Sequence, residues 1–474
     1  MRPAILQTPA AIDRELGRRL TAAHRRARRR GRPVLASATV SLPADSDPTA
    51  LAVAARVAGE PWFCLEQPDR DRSAIAALGV LVELTADGAG RFSSLARRWR
   101  EIVAEAEAEP VDGPPGSGLI ALGGFAHADD GGSSPRWDGF PAASLHVPEL
   151  SIARQGEDTR VTVNVLVAPD DTLEDLQARV GQRLQSLRPA PLPMLDPAPT
   201  GQYRVTSPMP PSHYEEAVRR GVERIRAGEL EKLVLAREVQ VEAPRDHDAA
   251  AVIGVLRDAY SSCYVFAVGR GDSTFIAASP ELLIRRQGQR ASTVALAGST
   301  RRSADPAVDD HLGEQLRLNE KEREENAIVA RRIATALKPH SVWVTVAAEP
   351  EVVKVANIQH LARPIRAQLA KPFDAVELAG LLHPTPAVGG EPDAVSARMI
   401  PALEGLDRGW YAGTIGWTDA TGDGEFCVAL RCALLRGSLA HLYAGCGIVR
   451  DSDPAAELAE TEVKLGALLP LLAG

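Results

Sequence analysis

Four glutamates and one lysine are the residues whose types and spacing could do chemistry in this sequence. In NEKEREENAIVARRI, Glu322 and Glu325 stand three apart, which puts both on one face of a helix. Glu325 precedes Val329 and Ile333 by four and eight residues, so it continues into the apolar, inward stripe. In DPAAELAETEVKL, Asp453 and Pro454 suit the N-cap and first position of a second helix. Glu457, Glu460 and Lys464 then share a face of it. Oxygen ligands from two elements, with no histidine or cysteine cluster, suit a hard ion such as Mg²⁺ that keeps several waters and binds a substrate carboxylate or phosphate. For either pair alone, solvated decoration is the commoner meaning of helix glutamates, and only other residues that identify a substrate could favour the ion.

The lysine heads the apolar run EKLVLAREV, residues 231–239. Alternation puts Lys232, Val234 and Ala236 on one face of a strand and Leu233, Leu235 and Arg237 on the other. Either the amine snorkels from the strand end into water, or it is desolvated. Burial lowers a lysine pKa toward neutrality and would make the amine usable as a general base. Nearby, PELLIRR sets Glu281 directly after Pro280, a turn that leaves one carboxylate at a strand end.

The elements that must position these groups are legible in outline. Ser212 with Glu215 forms a capping box before a helix carrying Tyr214, Val218, Val222 and Ile225, and Gly228 can stop it just before the lysine strand. SCYVFAVG, STFIAAS and ALAGSTRR read as strands, the last ending in small residues that allow close backbone approach to a ligand. The segment from Asp310 to Lys338 reads as one long helix. Upstream, RPAPLPMLDPAPTG at 188–201 is a connector, because its prolines cannot continue a helix or central strand. Before it lie an Arg/Ala-rich helix, strand-like PVLASATVSL and VTVNVLVA, a Gly/Ser/Asp loop at 128–135 and a helix near 172–187, with no evident chemistry.

Bulk properties narrow the function class. At 474 residues and 45% hydrophobic composition the chain can bury a substantial core. Its net charge of −8, from 54 basic and 62 acidic residues, gives no general attraction for nucleic acid or anionic membrane. The basic run HRRARRRGR at 24–32 continues a helical segment and reads as a solvated helix face rather than a nucleic-acid arm. Cys64, Cys263, Cys427, Cys432 and Cys446 are odd in number and scattered, suggesting neither a disulfide framework nor a zinc site. No stretch approaches a membrane span, and MRPAILQTPAAIDRE lacks a signal-peptide core, so a soluble cytoplasmic protein is expected.

Nine ordered blocks between about 205 and 472 resemble the chorismate-utilising enzymes, and among them the isochorismate synthases: EKLVLAREV, ASPELLIRR, ALAGSTRR, KEREENAIV, NIQHL, HPTPAVGG, RGWYAGTIGW, FCVALRCALL and AGCGIVRDSDPAAELAE. The resemblance implies an α+β fold of large packed sheets flanked by helices. Residues 205–474 would form the catalytic region, with a variable part over 1–200 contributing to the same fold. It implies that Lys232 is the base activating water and Glu281 the acid protonating the departing hydroxyl. It further implies that Glu325 and Glu460 ligate Mg²⁺, with Glu322 and Glu457 near it through waters. Arg431, Lys464 and Tyr411 would hold substrate carboxylates, and Gly298, Ser299, Gly445 and Gly447 would approach the substrate closely. His360 matches a recurring active-site histidine for which a structural hydrogen-bonding role is equally open.

The implied reaction is water addition at C2 of chorismate with loss of the C4 hydroxyl, giving isochorismate. Salicylate synthases share the lysine but then eliminate pyruvate; they tend to have threonine where this chain has Ala387, which favours stopping at isochorismate. A non-catalytic chorismate binder has no need of both acid and base. A small-molecule substrate, no nucleic acid, no membrane and a monomer or weak dimer are expected, with the product feeding menaquinone or a siderophore. Three departures from the pattern bear on metal affinity and its surroundings: Asn326 where a histidine often stands, Leu458 for a common aromatic, and Asp407 for a glutamate.

Overall fold

The computed structural model describes residues 9–196 and 199–474. The first eight residues, part of the segment read above as lacking a signal-peptide core, and residues 197–198 of the proline connector lie outside the described residues. Two antiparallel sheets, of 12 and 10 strands among the described residues, organise the chain. The first runs, edge to edge, Val34–Leu42, Asp158–Val167, Leu150–Gln155, Ser73–Leu78, Trp62–Gln67, Tyr264–Arg270, Ser273–Ser279, Cys432–Arg436, Leu439–Ile448, Lys232–Glu242 and Gly390–Glu391. The second runs Ser341–Val346, Ile358–Leu369, Arg290–Arg301, Leu282–Gln287, Gly424–Val428, Thr414–Asp419, Ile120–Phe125, Ala143–Val147 and Val82–Ala86. Strands from before and after the connector therefore share both sheets as two blocks that meet at one pair in each: Trp62–Gln67 with Tyr264–Arg270, and Ile120–Phe125 with Thr414–Asp419.

One buried cluster fuses the sheets. Phe63, Phe266, Phe275 and Leu434 enter it from the first sheet and Phe125, Ile284, Ile415 and Phe426 from the second. A second cluster packs the helices Pro9–Arg30, Leu173–Ser186 and Ala249–Ala259 onto the 12-stranded sheet. A third seats Pro211–Arg226 against Leu233 and Leu235, the face of the lysine strand opposite Lys232, as alternation requires.

Two elements differ from the sequence reading. The helix expected from Asp310 to Lys338 is two, Pro306–Leu318 and Glu320–Leu337. Asn319 is extended between them and its side chain accepts the Glu322 N–H at 3.2 Å, so a capping residue won over helical periodicity. The helix before the lysine starts at Pro211, with Pro210 as N-cap and no side-chain cap. Ser212 thus lies inside the first turn, and the expected capping box does not form; proline at the first position sets the start instead. The basic helix Pro9–Arg30 does continue through the arginine run, and Arg26 pairs with Glu107 at 2.9 Å, Arg32 with Glu105 at 2.5 Å, and Arg19 with Glu109. These partners come from the last residue of Arg91–Glu105 and the segment that follows it.

Candidate active site

The site forms where the chain crosses between sheets. Strand Ser273–Ser279 belongs to the first sheet and Leu282–Gln287 to the second, so Pro280 and Glu281 span the gap. A second crossing runs the other way from Gly424–Val428 to Cys432–Arg436 and carries Arg431. The crossings lie side by side: the Val428 N–H donates to Glu281 O at 3.0 Å and the Ala278 N–H to Arg431 O at 3.1 Å. Arg431 has φ +48°, a conformation that strains a non-glycine residue and persists only where the surroundings impose it.

Between these crossings lies a cavity. Glu281, Gly298, Ser299, Glu325, His360, Ala387, Tyr411, Arg431, Gly445, Gly447, Glu460 and Lys464 all line it, as the sequence reading grouped them. Lys232, Glu322 and Glu457 stand behind the wall. Lys232 is 0% exposed, which removes the snorkelling reading; its Nζ lies 2.8 Å from Glu325 Oε1, at angles that leave it without a hydrogen-bond partner. Gly447, opposite Val234 in the ladder, lets this pair sit against the strand. A Cβ there would collide with Glu325 Oε1 and come within 2.9 Å of Lys232 Cε. A Cβ at Gly445 would lie 2.8 Å from the Tyr411 hydroxyl.

Burial pushes the Glu281 carboxyl up to about 8, against the opposing pull of Lys232, Arg431 and Lys464. It therefore holds its proton at neutral pH. His360 is driven down to about 3 by burial and then by Arg431 and Lys464, so the ring is neutral. Its Nε2 lies 3.0 Å from Arg431 Nη2, which can only donate, so Nε2 accepts and Nδ1–H faces Gly298 O at 3.3 Å. The histidine thus aims the guanidinium and ties it to the Gly298 turn.

The two glutamate pairs meet, and a bulge joins them to the cavity. Strand Arg290–Arg301 slips register between Leu296 and Ser299 against Ile358–Leu369, re-aiming Gly298 (φ +84°) and Ser299. The Ser299 N–H donates to Glu322 at 3.0 Å and its hydroxyl to Glu460 at 2.7 Å. Asn326 closes the bulge from the helix side: its amide donates to the carbonyls of Ala295, Ala297 and Leu361 at 3.0, 3.3 and 3.0 Å, and Arg363 donates back to its oxygen at 3.2 Å. Fixing Asn326 fixes Glu325 beside it.

Three lysines answer the four carboxylates. Glu325 has Lys232, Glu457 has Lys321 at 2.9 Å, and Glu460 has Lys464 at 2.6 Å. Burial works against ionised Glu460, but Lys464 and the Ser299 hydroxyl hold it down to about 2. Glu322 is pushed up to about 7 by burial and then by Glu325 and Glu460. That mutual repulsion is what a hard divalent cation would relieve. Cys446 lies within 4.8 Å of Glu457 and Glu460, but burial raises its thiol well above the ordinary value, so the available donors are oxygens. The residues fit Mg²⁺.

Several contributors escaped the sequence reading. Tyr443 lines the cavity and stacks on Tyr411 with centroids 5.2 Å apart. It shares strand parity with Gly445 and Gly447, a signal that could have found it. Leu296, Leu430 and Val388 supply apolar wall. Asp407, one of the three departures, lies away from the cavity, accepting the Ser134 N–H at 2.6 Å, and Leu458 packs in the third cluster.

The chorismate binding enzyme family profile matches residues 21–473. The chain is 38% identical over 409 residues to the salicylate biosynthesis isochorismate synthase of Pseudomonas aeruginosa, covering 86% of this chain and 84% of that protein. It is 33% identical to the isochorismate synthase MenF of Bacillus subtilis, over 75% of each. The solved structure of the menaquinone-specific isochorismate synthase MenF from Escherichia coli superposes with a TM-score of 0.77 at 27% identity, covering 97% of this chain and all of that one.

Proposed function

Because this chain belongs to the chorismate binding enzyme family, we propose that it is an isochorismate synthase, converting chorismate to isochorismate for menaquinone or siderophore synthesis. The observation that carries this reading is a carboxyl in the cavity wall that keeps its proton to about pH 8, Glu281, with the fully buried Lys232 just behind the same wall. Hydroxide leaves poorly, so the departing C4 hydroxyl needs a proton, and Glu281 is the group loaded to give one. Water attacking C2 must lose a proton, and Lys232 is the group that takes it. One water enters and one leaves, so the two groups exchange protonation states in each turnover and the lysine's proton returns to the glutamate.

Arg431 and Lys464 bring positive charge to a substrate bearing two carboxylates, and His360, being neutral, adds none that would loosen the guanidinium's aim. Glu325 and Glu460 would hold Mg²⁺, with Glu322 and Glu457 behind them, and the bound ion would neutralise and anchor a substrate carboxylate. Ala387 in the cavity wall supplies no hydroxyl to promote pyruvate elimination. The test is chromatography of products from purified protein with chorismate and Mg²⁺, an EDTA control and a pyruvate assay. Isochorismate without stoichiometric pyruvate is the expected result. Salicylate with matching pyruvate would make the protein a lyase, and binding without product would make it a binder.

A further inference from the structure

Among the three lysines that answer the glutamates, Lys232 and Lys464 have places in the chemistry and Lys321 has none. Its Nζ donates to Glu457 at 2.9 Å and lies 3.8 Å from Glu322, the two carboxylates behind the cavity wall. The lysine stands in the first turn of Glu320–Leu337 and reaches across to Pro454–Leu465, joining the two helices that supply all four glutamates.

We propose that Lys321 is a built-in competitor for the divalent cation, occupying by charge the outer half of the carboxylate cluster and thereby setting the ion's affinity. This rests on the cation site proposed above. Lys321 already pairs Glu457 directly and stands close to Glu322, so an incoming dication meets a positive charge beside two of the four carboxylates. A dication entering such a site gains less than it would from the bare cluster, since like charges a few ångströms apart repel strongly at the effective dielectric of a buried site. The weakened affinity keeps the ion exchangeable between turnovers. It also makes tight binding depend on the anionic substrate, whose carboxylate restores the balance.

The experiment is calorimetric titration of Mg²⁺ into the full-length protein without chorismate, for the wild type, Lys321→Gln and Lys321→Met. Competition predicts that both substitutions tighten Mg²⁺ binding about tenfold or more, and that added chorismate improves the affinity of the variants less than that of the wild type. Binding that is unchanged or weaker in a folded variant would overturn the inference and leave Lys321 as a tie between helices. Wild-type protein that takes up no Mg²⁺ at all would remove the cation reading itself, a different failure. Two replacements of different polarity are used because Lys321 is 30% exposed at its side chain, and thermal melts of each establish that the titrated protein is folded.

Discussion

At the residue scale the site depends on keeping one carboxyl protonated and one amine dry. Glu281 sits at about 8 in the folded chain against an ordinary 4.5. Its neutral form is thus favoured by folding, and that contribution is complete below pH 4.5 and lost as pH rises toward 8. Glu281→Gln keeps the shape without the titration, so it should lower turnover by about 10² to 10⁴-fold yet melt at higher temperature than the wild type, with the gap widening from pH 5 to pH 8. The wild-type rate should fall as pH passes about 8; a profile flat to pH 9.5 would remove Glu281 as the acid. Lys232→Ala should abolish water addition while chorismate binding, followed by calorimetry, persists. The alternation of EKLVLAREV placed Lys232 correctly on its face, but nothing within it could choose between water and burial. That choice is made by Glu325, 93 residues later in the chain.

At the element scale, what matters is the joint between the helix Glu320–Leu337 and the bulged strand Arg290–Arg301. Asn326 satisfies three carbonyls there. Asn326→Ala would orphan them at a cost of about 1 to 3 kcal/mol, and because it loosens Glu325 it should also weaken Mg²⁺ binding more than it weakens chorismate binding. Asn326→Asp keeps the size but loses the donors; a Mg²⁺ affinity equal to wild type in both would show that the bulge holds itself. Gly447→Ala should be more severe, since the added methyl has Glu325 and Lys232 in its way. The spacing of Glu322 and Glu325 and of Glu457 and Glu460 was readable because helical periodicity is local. The bulge was not, because a register slip is a property of two strands and the residue that fills it. For the same reason Asn319 was passed over: an asparagine within a polar, periodic run declares itself as a cap only when the backbone turns there.

At the scale of the whole molecule, the described residues of the first 190 carry no group of the cavity but provide one whole side of each sheet. Their sequence showed strands and helices without motifs, since packing asks only for apolar alternation, whereas chemistry asks for particular side chains. A fragment of 205–474 would expose the edges of Tyr264–Arg270 and Thr414–Asp419, both of which pair with the earlier half. Such long unpaired edges favour aggregation. The fragment should therefore run as soluble aggregate by size-exclusion chromatography and show no cooperative melt. A monodisperse, cooperatively folding fragment would mean that the later half is an independent unit.

The position of the strand Leu439–Ile448 has a bearing on how the protein is made. It is the last strand of the chain among the described residues, yet it lies inside the 12-stranded sheet, between Cys432–Arg436 and Lys232–Glu242. While the ribosome is still working, the lysine strand therefore waits with that side open through the synthesis of some 200 further residues, at roughly 5 to 20 residues each second. Only when the final segment threads in do Gly445 and Gly447 meet the strand of Lys232, and only then is the cavity lined by Glu281, Glu325 and Glu460 walled on that side. A prematurely ended chain thus has no partial activity to offer, and for many seconds the nascent protein is a client for whatever guards exposed strands in its cell.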